Sequence, residues 1–313
     1  MRYLVTGGAG FIGYHLCKYL LNKDHEVIII DNLSDYYDIQ LKKDRLKELP
    51  KSEIFIGDIS NYDFLINICK NYKIDKIIHL AAQAGVRYSI ENPLEYEKSN
   101  NLGTLNIFEL SRNLRISEVI YASSSSVYGG NEKVPFSVED DVSNQVSLYA
   151  ATKRYNELLA KTYYNLYGIK SIGLRFFTVY GSWGRPDMSY FKFLDIHRRG
   201  EKIKIYNKGD HIRDFTHIND IILGIYRSIE KDKKCEIYNL GNNNPIKLLD
   251  FIKTLETISD VEFKKEYLPM RKGDVHTTFA DIELSKKELD WEPKIKIEEG
   301  LQEFFEWYKK YYL

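Results

Sequence analysis

Tyr149 and Lys153 stand four residues apart in Tyr149-Ala150-Ala151-Thr152-Lys153, a spacing that puts a phenol and an ammonium on one face of a helix. A phenol with a pKa of about 10 is a poor base at neutral pH, but a neighbouring positive charge favours the phenolate. Such a tyrosine could take the proton of an alcohol while a redox partner takes its hydride. Alone, the pattern fits any surface helix with a solvated pair. Its weight comes from two companions: Ser123-Ser124-Ser125-Ser126, which ends an apolar run, and a glycine-rich loop near the start of the chain.

That loop is Thr6-Gly7-Gly8-Ala9-Gly10-Phe11-Ile12-Gly13, placed where a short apolar strand runs into a helix. Glycines there allow a tight turn, let backbone amides approach a pyrophosphate, and bring the helix close to the sheet. Asp31 follows eighteen residues after Gly13, at the end of the run Val27 to Ile30. A carboxylate at that place accepts hydrogen bonds from ribose hydroxyls and repels a 2′-phosphate, so NAD is favoured over NADP. Glycines serving only strand–helix packing would leave the position of Asp31 without a reason. Phe11 and Ile12 belong to the same loop. Asn32, Asp58 with Ile59, and Leu80-Ala81-Ala82 are expected at strand ends along the same cofactor.

The elements that must hold these groups follow from periodicity. Apolar runs at Arg2–Thr6, Glu26–Ile30, Ser52–Ile56, Lys76–Leu80, Glu118–Ala122, Lys170–Phe176 and Glu236–Leu240 read as strands. Helical segments at about Gly10–Leu21, Asp63–Cys69, Pro93–Asn113 and Leu148–Tyr167 lie between them. This alternation predicts an α/β fold, a Rossmann-like doubly wound parallel sheet whose strands are covered on both faces. Beyond about Tyr180 the alternation weakens and prolines punctuate the chain. The expected division is a dinucleotide-binding lobe over residues 1–179, with 214–241 returning to it, and a smaller mixed α/β substrate-binding lobe over 180–213 and 242–313.

Composition limits the function classes. The 313 residues are 43% hydrophobic and 29% charged, and 45 Lys+Arg balance 45 Asp+Glu, so no global field favours nucleic acid or an anionic membrane. The three cysteines, Cys17, Cys69 and Cys235, are widely spaced, which argues against a disulfide scaffold and for a reducing compartment. No apolar run is long enough to cross a bilayer. The histidines show no ligand-like grouping, so no metal is expected. These readings together predict a cytoplasmic protein with neither a nucleic-acid nor a membrane partner.

With these motifs in place, the whole chain resembles the extended short-chain dehydrogenase/reductase family, within it the NAD-dependent epimerases and dehydratases of nucleotide sugars. The strings that carry the resemblance to the bacterial uronate 4-epimerase branch are Asp31 to Asp38, His79 to Ser89, Tyr121 to Gly129, Leu174 to Gly181, Trp183 to Met188 and Arg213 to Thr216. The resemblance implies Ser124 as the catalytic hydroxyl, Tyr149 as the base, and Lys153 as the group that binds the nicotinamide ribose and tunes the tyrosine. It implies Asn100 as a cofactor contact, Phe176 with Phe177 beside the nicotinamide, and Thr178 facing the substrate. Dehydratases of the family carry Asp-Glu where this chain has Ser125-Ser126, and uronate decarboxylases carry Glu at position 126; their absence favours simple epimerisation. Arg213 and Arg271, the latter in Arg271-Lys272-Gly273-Asp274, are implied for the substrate diphosphate, with Asp274 beside them.

The expected activity is inversion at C4 of UDP-glucuronate through a 4-keto intermediate, with NAD retained through the cycle. Such an intermediate is a β-keto acid prone to lose carbon dioxide, so its carboxylate needs fixed donors. Ser125, Ser126 and Thr178 are the candidates, with Arg87 or Arg185 adding positive charge. Two alternatives stay open: the same chemistry on UDP-glucose, UDP-galactose or their N-acetyl forms, and a non-catalytic regulator that binds NAD or a nucleotide sugar. Arg271, where uronate epimerases usually carry Gln, leaves the neutral sugars in contention. The long helices Pro93 to Asn113 and Leu148 to Tyr167 resemble those through which the family pairs into homodimers, with Leu102, Leu105, Leu158 and Leu159 as candidate contacts.

Overall fold

The structure, a computed structural model, describes residues 1–270 and 275–313. Its centre is a seven-stranded, wholly parallel sheet. The strands are β1 (Arg2–Thr6), β2 (Glu26–Asp31), β3 (Glu53–Ile56), β4 (Lys76–His79), β5 (Glu118–Ser124), β6 (Lys170–Phe176) and β7 (Cys235–Leu240). They lie in the order β7-β6-β5-β4-β1-β2-β3, so the chain reverses direction across the sheet between β1 and β4. In open α/β sheets the ligand crevice forms outside the carboxyl ends of the strands at such a switch point.

Why the strands read as unbroken apolar runs is visible in the packing. Tyr3, Val5, Ile29, Ile78 and Ile120 point into one buried core, while Leu4, Ile28, Ile30, Ile77 and Val119 point into another on the opposite face. Successive side chains alternate across the sheet, and helices cover both sides.

One of the expected helices differs in form. The segment expected as one helix over Pro93–Asn113 is an α-turn at Pro93–Tyr96, a π-helical stretch at Glu97–Leu102 and an α-helix at Gly103–Leu114. The wider turn places Asn100 fully inside the protein. An additional helix, Ile39–Lys47, follows β2 and buries Leu41, Lys42 and Arg45.

A third core, built on Tyr180, Tyr190, Phe191, Phe251 and Phe304, belongs to a smaller lobe. It contains the helices Ser189–Arg198, Leu248–Ser259 and Ile297–Tyr312 and the parallel pair Ile203–Tyr206 with Lys265–Leu268. The span 242–313 contributes to both lobes, because Ala280, Ile282, Leu289 and Trp291 pack in the core under the sheet. Arg45 ties the lobes together: its guanidinium donates to the Ala9 carbonyl in the glycine loop and to the Trp183 and Gly184 carbonyls.

Candidate active site

The cleft begins at the β1 turn. Gly7 sits at φ +74°, and a Cβ there would lie 2.7 Å from the Ala81 nitrogen. At Gly13 a Cβ would lie 2.1 Å from the Gly7 carbonyl oxygen. Both positions therefore exclude any side chain, and the helix Phe11–Asn22 starts with its amide end pressed to the loop, a ready cradle for a pyrophosphate. Asp31, at the carboxyl end of β2, accepts from the Ala9 nitrogen at 3.0 Å and the Leu33 nitrogen at 2.8 Å. Those two bonds fix its carboxylate at the cleft, where it retains lone pairs for a ribose. Glycines that admit no side chain and a fixed carboxylate at the next strand end fit a dinucleotide.

The cleft is lined by the expected cofactor residues Gly7, Gly10, Phe11, Ile12, Gly13, Asp31, Asn32, Asp58, Ile59, Leu80, Ala81, Ala82, Tyr149, Lys153 and Phe176. Asp58 receives the Ser60 nitrogen at 2.9 Å, and although burial opposes ionisation its carboxyl lies below the ordinary range through that bond, Asn32 and Lys98. Asn100 stands behind the wall. Its Oδ1 accepts from the Gln83 nitrogen at 2.8 Å, and its Nδ2 donates to the Gln83 carbonyl and to Thr152 Oγ1, both at 3.0 Å.

At the other end of the cleft the helix Leu148–Tyr167 presents Tyr149 and Lys153. Ser147 caps it, its side chain accepting from the Ala150 nitrogen at 3.2 Å. The helix is locked to the sheet by buried Glu157, which takes two hydrogen bonds from Arg175 at 2.8 and 3.0 Å and one from Ser123 at 2.7 Å. Burial raises the Tyr149 phenol, while the Ser124 hydroxyl and the charge of Arg185 bring it down. Lys153 donates to the Ala122 carbonyl at 2.8 Å. Its burial brings the ammonium down to about 8. Ser124, Tyr149 and Lys153 are thus gathered at one place, beside the cavity-lining Phe176.

The expected substrate residues divide. Arg185 lines the cleft and is held by Asp187 through bonds of 3.0 and 2.6 Å, while Tyr36 donates to the same carboxylate at 3.2 Å. Ser125 and Ser126 open the short turn Ser125–Tyr128 directly after Ser124. Thr178 lies between the cavity-lining Phe177 and Val179, and its backbone pairs with Phe215. Arg87, exposed, lies over the Tyr206 ring at 5.2 Å and so reaches across to the smaller lobe. Arg213 donates to the carbonyls of Ile212, Val275 and His276 and does not line the cleft. Arg271 and Asp274 lie outside the described residues.

Several lining residues carry no strong sequence signal. Lys42, from the helix after β2, donates to the Ser34 carbonyl at 2.6 Å and is brought below its ordinary value by burial. Tyr36, Gln83 and Ser99 line the same space. Tyr36 and Gln83 stand inside the strings Asp31 to Asp38 and His79 to Ser89, which single out the segments but not the roles. Lys42, Lys153 and Arg185 place positive charge in the cleft beside the carboxylates of Asp31 and Asp58, with Arg185 paired to Asp187. Among the described residues, no three His, Cys, Asp or Glu side chains gather as a metal site.

Comparison with known proteins places this geometry. The sequence model of the GDP-mannose 4,6-dehydratase family matches residues 4–304. A UDP-glucuronate 4-epimerase of Thermodesulfobacterium geofontis is 46% identical over 312 residues, covering 98% of this chain and 96% of that protein. An uncharacterised Methanocaldococcus jannaschii protein is 54% identical over 310 residues, covering 97% of this chain and 95% of its own length. The crystal structure of a Bacillus cereus UDP-glucuronic acid 4-epimerase, in complex with UDP-glucuronic acid and NAD, superposes with a TM-score of 0.93 at 33% identity and 100% coverage of both chains.

Proposed function

Because this chain belongs to the extended short-chain dehydrogenase/reductase family of NAD-dependent nucleotide-sugar epimerases and dehydratases, we propose that it inverts C4 of UDP-glucuronate to give UDP-galacturonate. One observation carries the reading: Ser124, Tyr149 and Lys153 meet at the end of the dinucleotide cleft, beside a cationic Arg185. A binding protein without catalysis needs no such proton relay.

The residues divide the work by position. The glycine loop and Asp31 hold NAD, which when bound accepts the C4 hydride and gives it back. Tyr149 takes the 4-hydroxyl proton, with Ser124 steadying the same oxygen and Lys153 favouring the phenolate through its charge. The proton returns from Tyr149 after the 4-keto sugar has turned over in the cleft. For that rotation the nucleotide must stay anchored while the sugar is loosely held. Although the matching family model is described as a dehydratase, water elimination needs an acid beside Ser124, and this chain has Ser125-Ser126 there.

The uronate is favoured over neutral sugars by the identity to a UDP-glucuronate 4-epimerase and by Arg185, whose charge lies within the cleft. Ser125, Ser126 and Thr178 are the hydroxyl donors we assign to the carboxylate, with Arg87 or Arg185 adding positive charge. Further readings concern the protein as a whole. It acts as a homodimer through the helical stretch 93–114 and the helix Leu148–Tyr167, where Leu102 and Leu158 are exposed. It resides in the cytoplasm, a reading supported by three unbridged cysteines; no helix among the described residues is long and apolar enough to cross a membrane.

The test is a comparison of UDP-sugars as substrates. A site that pairs donors with a carboxylate rejects the analogue lacking it by roughly tenfold or more in kcat/KM. Equal values for UDP-glucose and UDP-glucuronate would move the assignment to the neutral sugar.

A further inference from the structure

Gln83 belongs to the string that follows β4, and the reaction described above assigns it no role. It is 8% exposed and lines the cleft. Its side-chain Nε2 has no hydrogen-bond partner among the described residues. A buried amide hydrogen left unpaired is costly, and native proteins provide such groups with an acceptor. Here the acceptor must come from what the cleft holds.

The backbone around Gln83 is fixed from two sides, and both lead to the same place. Asn100 bonds the Gln83 nitrogen and carbonyl and reaches Thr152, the residue just before Lys153. Tyr96 donates to the Ala84 carbonyl at 2.8 Å and packs its ring on Tyr149 at 6.1 Å, edge to face. The Gln83 backbone is thus tied to the turn that carries Tyr149, so its side chain enters the cleft from a base fixed to the proton-transfer residues. Such rigidity is what a positioned contact requires.

We propose that Gln83 is a sugar-binding residue whose side-chain amide donates a hydrogen bond to a hydroxyl oxygen of the hexose. This rests on the reading of the protein as a UDP-hexose 4-epimerase. The cost of an unmade bond at Gln83 then makes the enzyme sense a correctly seated ring, while Tyr149 handles only the reacting hydroxyl.

Calorimetric titration of the NAD-bound protein with UDP and with UDP-glucuronate isolates the sugar's share of the affinity. Gln83→Met keeps the side-chain length and removes the donor; Gln83→Glu keeps the shape and, when ionised, only accepts. We expect both variants to bind UDP as the wild type does, to retain their NAD, and to lose about tenfold of the affinity that the sugar adds, with Gln83→Glu at least as impaired. An unchanged sugar increment in the variants overturns the proposal, as does equal weakening toward UDP and UDP-glucuronate. Loss of NAD with the sugar increment intact also overturns it, by placing the acceptor on the cofactor. Restoration of affinity in Gln83→Glu contradicts the donor role. If the wild type itself gains nothing from the sugar, the reading as a UDP-hexose epimerase fails instead.

Discussion

Asn100 Nδ2 lies 3.0 Å from Thr152 Oγ1, so one buried side chain joins the loop after β4 to the helix that carries Tyr149 and Lys153. The same nitrogen holds the Gln83 carbonyl, and Oδ1 holds its amide. Replacing Asn100 by Ala leaves these groups unpaired inside the protein, at a cost of about 1–3 kcal/mol. We expect Asn100→Ala to unfold at lower denaturant and to lose kcat as well, because the wall and the helix shift together. Thr152→Val should show a weaker form of both effects. Wild-type stability in Asn100→Ala, measured by urea unfolding, would contradict this coupling.

Lys153 links pH to stability with a definite sign. Its folded value is about 8 against an ordinary 10.5, so between these the unfolded chain binds the extra proton. The cost of burying the ammonium is fully present below about pH 8 and fades as pH rises toward 10.5. Its size is of order 3 kcal/mol. With cofactor removed, Lys153→Met should therefore be more stable than the wild type at pH 7, and the gap should shrink strongly by pH 10. A variant less stable than the wild type at pH 7 would show that the bond to the Ala122 carbonyl outweighs desolvation.

Asp31 should govern cofactor choice. Protein denatured after purification should release NAD and almost no NADP, because the fixed carboxylate repels a 2′-phosphate. Asp31→Asn should retain less NAD, and it should also loosen the glycine loop through the weakened bond from Ala9. Recovery of NADP from the wild type would refute the role given to this residue.

The outer helices predict self-association. Leu94 is 80% exposed, Leu158 52% and Leu102 44%, whereas Leu105 and Leu159 pack partly against the core of Leu4 and Ile28 on the other face of the sheet. Exposed apolar side chains on adjoining helices suit a two-fold, self-complementary contact. Sedimentation should give a dimer at micromolar concentration, and Leu158→Glu should shift it to monomer. A monomeric wild type would remove the basis for the interface.

The sheet and the nearness of Ser124, Tyr149 and Lys153 to one another are legible in the sequence because each leaves a local trace. Strands covered on both faces appear as unbroken apolar runs, and Gly7 and Gly13 are demanded by backbone contacts under 3 Å. The helix Ile39–Lys47 leaves no such trace, since the face it buries contains Lys42 and Arg45 and so lacks an apolar stripe. Asn100 illustrates a different limit. Its place in the family pattern marks it for the site, but only the π-helical turn at Glu97–Leu102 shows that it supports Gln83 from behind. Gln83 itself is visible only through burial and an unpaired nitrogen, neither of which a sequence displays.

The central claim, that hydride leaves C4 and returns to C4 within one closed cycle, is tested most directly with UDP-glucuronate deuterated at C4. Purified protein is incubated with this substrate without added cofactor, and the product is read by NMR. The account predicts UDP-galacturonate that keeps its deuterium at C4, formed more slowly than from the unlabelled substrate, with Tyr149→Phe nearly inactive. Product carrying solvent hydrogen at C4, or no inversion of UDP-glucuronate at all, would contradict it.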